Sequence, residues 1–176
     1  MEEPALEILY GPRAIDRAVK GIAGAIDRDY RGKSLVMVGV LKGAFVFLSD
    51  LVRRIAVPVT VDFARISSYG KGTRPGSMRL LKDVESHLRD RHVLIVDDIV
   101  DTGRTTRYLL QRLKRRGPSS CRVCALLDKP SRREVEVPVD YCGFVVPDTF
   151  IVGYGLDVNE RFRQLPGLYT MAPPRS

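Results

Sequence analysis

The sequence contains no tryptophan, only two histidines and three cysteines among its 176 residues. The cysteines are odd in number and the histidines have no further ligands at suitable spacing, so neither a disulfide framework nor a structural zinc site is indicated. No apolar run approaches the roughly 20 residues that span a bilayer. The first eight residues contain three acids and no basic, apolar leader, so we expect neither a secretory signal nor a transit peptide, and a cytoplasmic protein.

The composition is typical of a soluble globular protein. Apolar residues make up 44% of the chain and charged residues 28%. A chain of 176 residues suits one hydrophobic core, so we predict a single domain over residues 1–176. The net charge of +8 indicates an anionic partner, either a nucleic acid or a phosphorylated substrate.

Apolar periodicity predicts strands that alternate with helices. Two short apolar runs, at 34–40 and 93–96, are typical of strands buried on both faces. Each is followed by a predicted helix, the first with Phe45, Leu48, Val52 and Ile55 on one face and the second, basic one at 104–116. The other predicted elements are a helix at 14–28, a half-exposed strand at 57–66, a mobile Gly- and Ser-rich stretch at 67–77, and strands at 121–127 and 141–145. This alternation favours a mostly parallel sheet.

The segment from Asp101 to Thr105 follows a predicted strand and opens a predicted helix. In parallel sheets ligands bind where strands end, and a helix N-terminus there offers free backbone amides to a phosphate. Gly103 permits close approach of the backbone, while Thr102 and Thr105 add hydroxyl donors. The sequence therefore predicts a phosphate-binding loop.

Asp97 and Asp98 lie just before this loop. Neighbouring side chains of a regular strand face opposite ways, so both can enter one crevice only where the strand ends. Two carboxylates beside a phosphate are accommodated if they bind sugar hydroxyls or a metal ion, for which magnesium is suited. A simple cap on the following turn explains the pair equally well.

Four parts of the chain resemble phosphoribosyltransferases. The segment VLIVDDIVDTGRTTRYLL at 93–110 closely resembles the family's phosphoribosyl pyrophosphate signature. The hypoxanthine-guanine branch is resembled by VLKGAFVFLSDL at 40–51, ISSYG at 66–70, and DKPSRR at 128–133 with FIVGYGLDVNERFRQLPGLY at 150–169. The resemblance implies a single α/β domain with a mostly parallel central sheet flanked by helices, plus a small hood and a mobile lid loop.

The resemblance also implies how the sugar phosphate is bound. Asp97 and Asp98 match the acids that bind the ribose hydroxyls. The backbone and hydroxyl groups that match those binding the 5-phosphate belong to Asp101, Thr102, Gly103, Arg104, Thr105 and Thr106. Asp101 additionally matches the general base or proton shuttle near the purine imidazole nitrogen.

For the purine base, the resemblance implies a lysine, an aromatic platform and backbone contacts. Lys129 matches the donor to the 6-oxo group, Phe150 the stacking ring, and Ile151 the backbone contacts, with Asp157 beside them. Alone, Lys129 would be a surface lysine and Phe150 a core residue, but the surrounding motif favours the functional interpretation.

Metal, pyrophosphate and lid residues are implied in the same way. Asp157, Asp97 and Asp98 match the acids around Mg²⁺. Leu41, Lys42, Gly43 and Arg163 match the groups around pyrophosphate, with a non-proline cis bond between Leu41 and Lys42. Ser68 and Tyr69 match the lid.

The implied function is purine salvage. The 5-phosphoribosyl group passes from phosphoribosyl pyrophosphate to hypoxanthine or guanine, giving IMP or GMP plus pyrophosphate. The resemblance implies a Mg²⁺-dependent pentosyltransferase that forms a homodimer or homotetramer. A xanthine-preferring or strictly hypoxanthine enzyme would differ only in contacts to the purine 2-position, which the sequence leaves open.

An RNA-binding regulator built on the same fold is the alternative from another class. Its surface would need clustered basic residues, and the basic helix offers Arg107, Arg112, Lys114, Arg115 and Arg116. Such runs are usually solvated helix faces. Lys129 and the segment 150–157 favour a purine enzyme, because a regulator has no evident need for a base pocket, so we expect no nucleic acid partner.

Some positions depart from the family or leave alternatives open. Asp97 stands where this branch commonly has the longer Glu, and Arg104 where it often has Lys. Arg133 either contacts pyrophosphate or lies on a solvated face. Cys121 and Cys124 have redox-motif spacing, but their place in a predicted strand favours small buried hydrophobes.

Most of the basic residues are arginines, and the chain contains only one asparagine and two glutamines. This composition resembles that of proteins from organisms that grow at high temperature. We predict that the midpoint of thermal unfolding lies above the roughly 45–65 °C of ordinary mesophile domains. Scanning calorimetry checks this, and a midpoint within that range would contradict the prediction.

Overall fold

The computed structural model describes residues 5–68 and 78–171, which form two β-sheets with flanking helices. Their order is β1 Leu6–Tyr10, α1 Pro12–Asp29, β2 Leu35–Leu41, α2 Phe45–Val52, β3 Val59–Ser68, β4 Met78–Lys82, β5 His92–Val100, α3 Arg104–Lys114, β6 Ser120–Asp128, β7 Tyr141–Val145, β8 Ile151–Val152 and β9 Leu168–Met171. A 3-10 turn at Pro130–Arg132 follows β6.

Six strands form the central sheet in the order β4-β3-β2-β5-β6-β7. All neighbours run parallel except β4, which is antiparallel to β3 at one edge. The predicted α/β fold with a mostly parallel sheet is therefore confirmed. The strands β2, β3, β6 and β7 begin and end within two residues of their predicted bounds, whereas β5 continues four residues further.

Burial on both faces explains the continuous apolar run of β2. Leu35 and Met37 face a cluster formed with α1 and α2, whereas Val36 and Val38 face a second cluster formed with α3. Helix α1 contributes one apolar stripe to the first cluster, made of Ile15, Val19, Ile22, Ala23 and Ile26. The sheet is thus covered by helices on both sides, which leaves its strand ends as the place for a ligand site.

The predicted apolar face of α2 was right at Leu48, which is buried, and wrong at Phe45. The helix ends at Val52, so Ile55 lies beyond it, and Phe45 is 46% exposed. The buried side chains are Phe47, Leu48 and Leu51. Four consecutive apolar residues begin this short helix, so their spacing alone does not determine which side turns inward.

A smaller antiparallel sheet in the order β1-β9-β8 forms the hood that the resemblance implied. Two contacts fasten it to the central sheet and its helices. Tyr10 stacks on Phe144 of β7 with ring centroids 3.9 Å apart, and the Tyr154 hydroxyl donates to Asp50 of α2 at 2.5 Å. The hood strands have only two to five residues, too few for a periodicity that the sequence would reveal.

Candidate functional site

The candidate site lies where β5 continues past β2. The last residue pair between these strands is Gly39 with Val96, while β5 stays paired with β6 as far as Val100. Asp97 and Asp98 therefore lie within a strand, and the prediction that they sit where the strand ends was wrong. They lie instead just beyond the last residue pair between β2 and β5, level with the final residues of β2, which stay paired with β3. The end of that pairing opens this side of β5 to ligands.

Two clefts meet at Asp98. The first, of about 380 Å³, is lined by Leu41, Lys42, Gly43, Arg65, Ile66, Ser67, Leu81, Asp98, Asp157, Glu160 and Arg163. The second, of about 220 Å³, is lined by Val40, Leu41, Ile66, Asp97, Asp98, Ile99, Asp101, Thr102, Gly103, Thr105 and Thr106. The residues matched to pyrophosphate thus share the first cleft. Those matched to the sugar phosphate share the second, except Arg104, whose side chain pairs with Glu134 at 2.5 Å. Asp97 lines only the second cleft.

The loop after β2 approaches Asp98 so closely that it needs a glycine. A Cβ atom at Gly43 would lie 1.7 Å from Asp98 Oδ2. The preceding peptide bond, between Leu41 and Lys42, is cis, as the resemblance implied. Leu41, where this loop begins, lines both clefts, whereas Lys42 and Gly43 line only the first.

The two carboxylates of the acidic pair are buried close together. Asp97 is only 4% exposed and accepts a hydrogen bond from the Thr106 hydroxyl at 3.2 Å. Burial and the adjacent charge of Asp98 raise the pKa of Asp97 well above its ordinary value. Burial also raises the pKa of Asp98, although hydrogen bonds and the charge of Arg163 oppose that shift. A nearby cation would relieve this repulsion.

The predicted phosphate loop opens α3. Gly103 has φ +81° and immediately precedes Arg104, the first residue of the helix. A Cβ at Gly103 would lie 2.6 Å from the Val135 carbonyl oxygen, so both the conformation and the space favour glycine. The Thr102 carbonyl accepts hydrogen bonds from the amides of Glu134 and Val135, at 3.0 and 3.2 Å. These hydrogen bonds fix the loop to the segment at Glu134 and Val135. Thr105 and Thr106, in the first turn of α3, line the second cleft, where the helix N-terminus favours an anion.

Asp101 and the turn after β6 are joined by arginines. Arg132 Nε donates to the Asp101 carboxylate at 3.2 Å, and its Nη1 lies 3.6 Å from Asp148. Arg133 donates to the Asp101 carbonyl at 3.0 Å and pairs with Asp128, with both side chains largely buried. The solvated-face alternative for Arg133 was wrong, because its guanidinium is largely buried and is used inside the protein. Contact with pyrophosphate stays a prediction.

Lys129 and Phe150 have the exposures that a base pocket requires. Lys129 is 7% exposed, and its ammonium group donates to the Thr149 carbonyl at 2.6 Å. Phe150 is 54% exposed, while Ile151 in β8 is buried. Lys129 is therefore not a surface lysine and Phe150 is not a core residue.

The cations of the first cleft are paired with acids. Lys42 Nζ lies 2.8 Å from Glu160, and Arg163 Nη2 lies 2.7 Å from Asp157 and 3.2 Å from Glu160. Arg163 also donates to the Gly155 carbonyl at 2.7 Å.

Sequence reasoning missed Glu160 and Arg65, which line the first cleft, and Arg132, which contacts Asp101. Glu160 and Arg132 lie within segments that resemble the family but match no role that was carried over. Arg65 lies in a half-exposed strand, where an arginine is ordinary, so its spacing gave no signal.

Two other sets of predicted residues are those of the lid and those proposed for RNA. The side chain of Ser68 and the whole of Tyr69 lie outside the described residues, as does most of the stretch predicted to be mobile. In α3, Arg112 pairs with Asp83 at 2.5 Å, and Arg116 donates to the Val84 and Ser86 carbonyls, so two of the five basic residues proposed for RNA are used internally.

Three further observations concern metals, thiols and membranes. In residues 5–68 and 78–171, no three His, Cys, Asp or Glu side chains are arranged to hold a metal ion by themselves. Cys121 and Cys124 are free thiols in β6, and Cys124 is fully buried. Within the same residues, no helix is long and apolar enough to cross a membrane.

Comparisons with known proteins place the chain among phosphoribosyltransferases. A model of the phosphoribosyl transferase domain matches residues 6–159. Hypoxanthine phosphoribosyltransferase of Haemophilus influenzae is 43% identical over 169 residues, with 94% of each chain covered. The bifunctional protein TilS/HprT of Listeria monocytogenes is 39% identical over 174 residues, which are 98% of this chain and 27% of that protein.

A solved structure is similar over the whole fold. The hypoxanthine-guanine phosphoribosyltransferase of Bacillus anthracis superposes with a TM-score of 0.90 at 40% identity, and 97% of this chain and 100% of that chain are covered.

The raised pKa of Asp97 predicts a pH-dependent effect of Asp97→Asn in protein freed of metal. An acid whose pKa is raised by folding stabilises the fold below its ordinary value of 3.8, and that contribution is lost as the pH rises toward the raised value. The free energy of unfolding of the variant, relative to the unaltered protein, should therefore increase from about pH 4 to about pH 8. Denaturant titrations with a chelator measure it.

Asp83→Asn is the matched control, because the hydrogen bond from Arg112 lowers the pKa of Asp83. The stability of this variant relative to the unaltered protein should fall as the pH rises toward 3.8 and should then stay constant from about pH 4 to about pH 8, because a carboxyl with a lowered pKa is already ionised there. A pH-independent difference for Asp97→Asn would refute the assignment of a raised pKa.

Proposed function

The chain belongs to the hypoxanthine-guanine branch of the phosphoribosyltransferase family, and from that premise we propose which of its residues perform the reaction. The protein acts in purine salvage and transfers the 5-phosphoribosyl group from phosphoribosyl pyrophosphate to hypoxanthine or guanine, giving IMP or GMP and pyrophosphate. The observation that carries the assignment of the base pocket is the buried ammonium of Lys129 beside the exposed ring of Phe150.

The purine is held by one charged donor and one aromatic face. A buried lysine is costly unless its charge meets oxygen acceptors, and Lys129 already donates to one carbonyl of the loop that carries Phe150. Its remaining donors suit the 6-oxo group, while the ring of Phe150 stacks on the base and the backbone of Ile151 contacts its edge. These groups select a 6-oxopurine, because an amino group at that position would place donor against donor.

The sugar phosphate lies in the second cleft. The first amides of α3 and the hydroxyls of Thr102 and Thr105 bind the 5-phosphate, with the helix dipole favouring the anion. Asp97 and Asp98 accept hydrogen bonds from the ribose hydroxyls, and their charge favours the cationic character that the sugar ring gains as pyrophosphate departs. The shorter Asp97 reaches less far into the cleft than the Glu common at this position.

Asp101 is the proposed general base. Its carboxylate is about 40% exposed and lies in the loop that binds the phosphate, and its pairing with Arg132 keeps it oriented toward the base pocket. When the purine nitrogen forms its bond to the sugar, the carboxylate accepts the proton from the imidazole ring.

Mg²⁺ is the proposed cofactor, and the donor set fits it. Asp98 and Asp157 line one cleft together, and magnesium is commonly held by one or two carboxylates together with waters and substrate phosphates rather than by a complete protein cage. When bound, the metal neutralises charge on the departing pyrophosphate. Lys42, Arg163 and the backbone of Gly43 then hold that group in place. Asp97 was also matched to the metal, but it lines only the second cleft. We therefore propose that Asp97 affects the metal indirectly, through its neighbour Asp98, and does not bind it.

The assembly and location of the protein are proposed from the family alone. We propose a homodimer or homotetramer in the cytoplasm, with small molecules as its other partners. Sedimentation analysis of the full chain distinguishes these two assemblies from a monomer.

The first experiment measures nucleotide formation from phosphoribosyl pyrophosphate with hypoxanthine, guanine, xanthine, adenine and uracil. We expect activity with hypoxanthine and guanine only, and loss of that activity when Mg²⁺ is removed with EDTA and its return when Mg²⁺ is restored. Preference for xanthine or uracil would contradict the proposed base specificity, and full activity in EDTA would contradict the proposed cofactor.

Two variants test the base pocket. Asp101→Asn removes the proton acceptor and should lower kcat about 10²- to 10⁴-fold. Lys129→Ala removes a charge-assisted hydrogen bond and should lower kcat/KM about 10- to 100-fold, with hypoxanthine more affected than phosphoribosyl pyrophosphate.

Lys20→Ala is the control for these two variants, because Lys20 makes an exposed ion pair with Asp16 on α1. This variant should keep full activity. If Lys129→Ala also keeps it, the assignment of Lys129 to the 6-oxo group is wrong.

A further inference from the structure

The cations proposed to hold pyrophosphate already have an anionic partner in the protein. Glu160 lies 2.8 Å from Lys42 and 3.2 Å from Arg163, so one carboxylate contacts both cations. These three side chains line the first cleft, which Asp98 also borders. If Lys42 and Arg163 hold pyrophosphate, its oxygens must take the places beside these cations that the two oxygens of Glu160 have in this structure.

A specific turn holds Glu160 in this position. Asn159 and Glu160 have φ values of +52° and +63°, which residues other than glycine adopt infrequently and at an energetic cost. The Glu160 amide donates to Asp157 at 2.8 Å, and Val158 pairs with Arg161 across the turn. The turn therefore holds the Glu160 carboxylate against Lys42 and Arg163 at the edge of the cleft, with 63% of its side chain exposed to solvent.

The charges of the cleft indicate what this glutamate does. Its cations are Lys42, Arg65 and Arg163, and its acids are Asp98, Asp157 and Glu160. Opposite charges in equal number leave little net attraction for an anionic ligand. Asp98 and Asp157 are the proposed ligands of Mg²⁺, which arrives with pyrophosphate and neutralises them. Glu160 is not a proposed ligand of Mg²⁺, and its carboxylate pairs with Lys42 and Arg163. Its negative charge would therefore still oppose the pyrophosphate after the metal has bound.

We propose that Glu160 is an internal competitor of the pyrophosphate group and so sets the affinity of this site for it. This proposal rests on the function proposed above. In the empty site Glu160 holds Lys42 and Arg163, and it must release them when the pyrophosphate of the substrate binds. It rejoins them as pyrophosphate leaves, so the glutamate weakens substrate binding and speeds product release.

The proposal predicts a change in pyrophosphate affinity that is opposite in direction to the change expected if Glu160 helped to bind this group. Replacing a residue that orients the cations or helps to bind the metal would weaken pyrophosphate binding. Removing a competitor must strengthen it instead. Glu160→Gln keeps the size of the side chain and removes the charge that competes. Each exposed ion pair is weak, so the expected change is about 3- to 10-fold rather than several orders of magnitude.

The experiment is a calorimetric titration of inorganic pyrophosphate with Mg²⁺ into the full chain and its variants. We expect the Kd of Glu160→Gln to be about 3- to 10-fold lower than that of the unaltered protein. Its KM for phosphoribosyl pyrophosphate should fall, and the inhibition constant of pyrophosphate should fall with it. Glu160→Asp, which keeps the charge on a shorter side chain, should give an intermediate Kd and serves if the Gln variant folds poorly.

Glu85→Gln is the control, because Glu85 makes an exposed ion pair of similar length with Lys82, 2.6 Å, away from both clefts. Its Kd should be unchanged. Equal or weaker binding by Glu160→Gln, with normal binding by the unaltered protein, overturns this inference and leaves the proposed function standing. Failure of the unaltered protein to bind pyrophosphate or to form nucleotide overturns both.

Discussion

The unequal lengths of two neighbouring parallel strands are the constraint on which the site depends. Because β2 stops pairing with β5 at Gly39 while β5 stays paired with β6 as far as Val100, one side of β5 is open at the acidic pair. The chain leaving β2 must then turn tightly past Asp98, which explains the glycine at 43. Both clefts are bounded by that turn. The positions that we propose for the sugar, phosphate and pyrophosphate groups therefore all lie beside the point where one ladder of backbone hydrogen bonds, between β2 and β5, ends.

Near-balance of opposite charge is the second theme of the site. The second cleft contains two buried acids whose pKa values are raised, and the first contains cations held by acids. A dense group of charges with no ligand is tolerable only when its members compensate one another. A charged ligand that binds such a site must replace ion pairs within the protein by ion pairs with itself. The affinity therefore depends more on how the charges of the ligand are arranged than on its total charge.

The sequence predicts much of this fold because burial leaves a regular pattern. The strands β2, β6 and β7 are short apolar runs between turn residues, and the loop at Asp101–Thr105 lies between a strand and a helix in the structure as it does in the pattern. The inward face of α2 could not be predicted, since consecutive apolar residues leave its rotation undetermined.

Partners distant in sequence explain the rest of what the pattern missed. The role of Arg133 depends on Asp128 and on the carbonyl of Asp101, and that of Glu160 depends on Lys42, far away along the chain. The extension of β5 depends on β6 continuing beside it after β2 has ended. No local spacing encodes any of these, because each is a contact that only the folded chain creates.

The hood joins residues from opposite ends of the described chain. β1 pairs with β9, and β9 pairs with β8, which begins at Ile151 beside Phe150. During synthesis, a nascent chain that has emerged as far as Val145 has all the strands of the central sheet and the whole of the loop proposed to bind phosphate, but not the sheet that carries the proposed purine platform. The proposed site for the sugar phosphate is therefore encoded earlier along the polypeptide than most of the proposed site for the base.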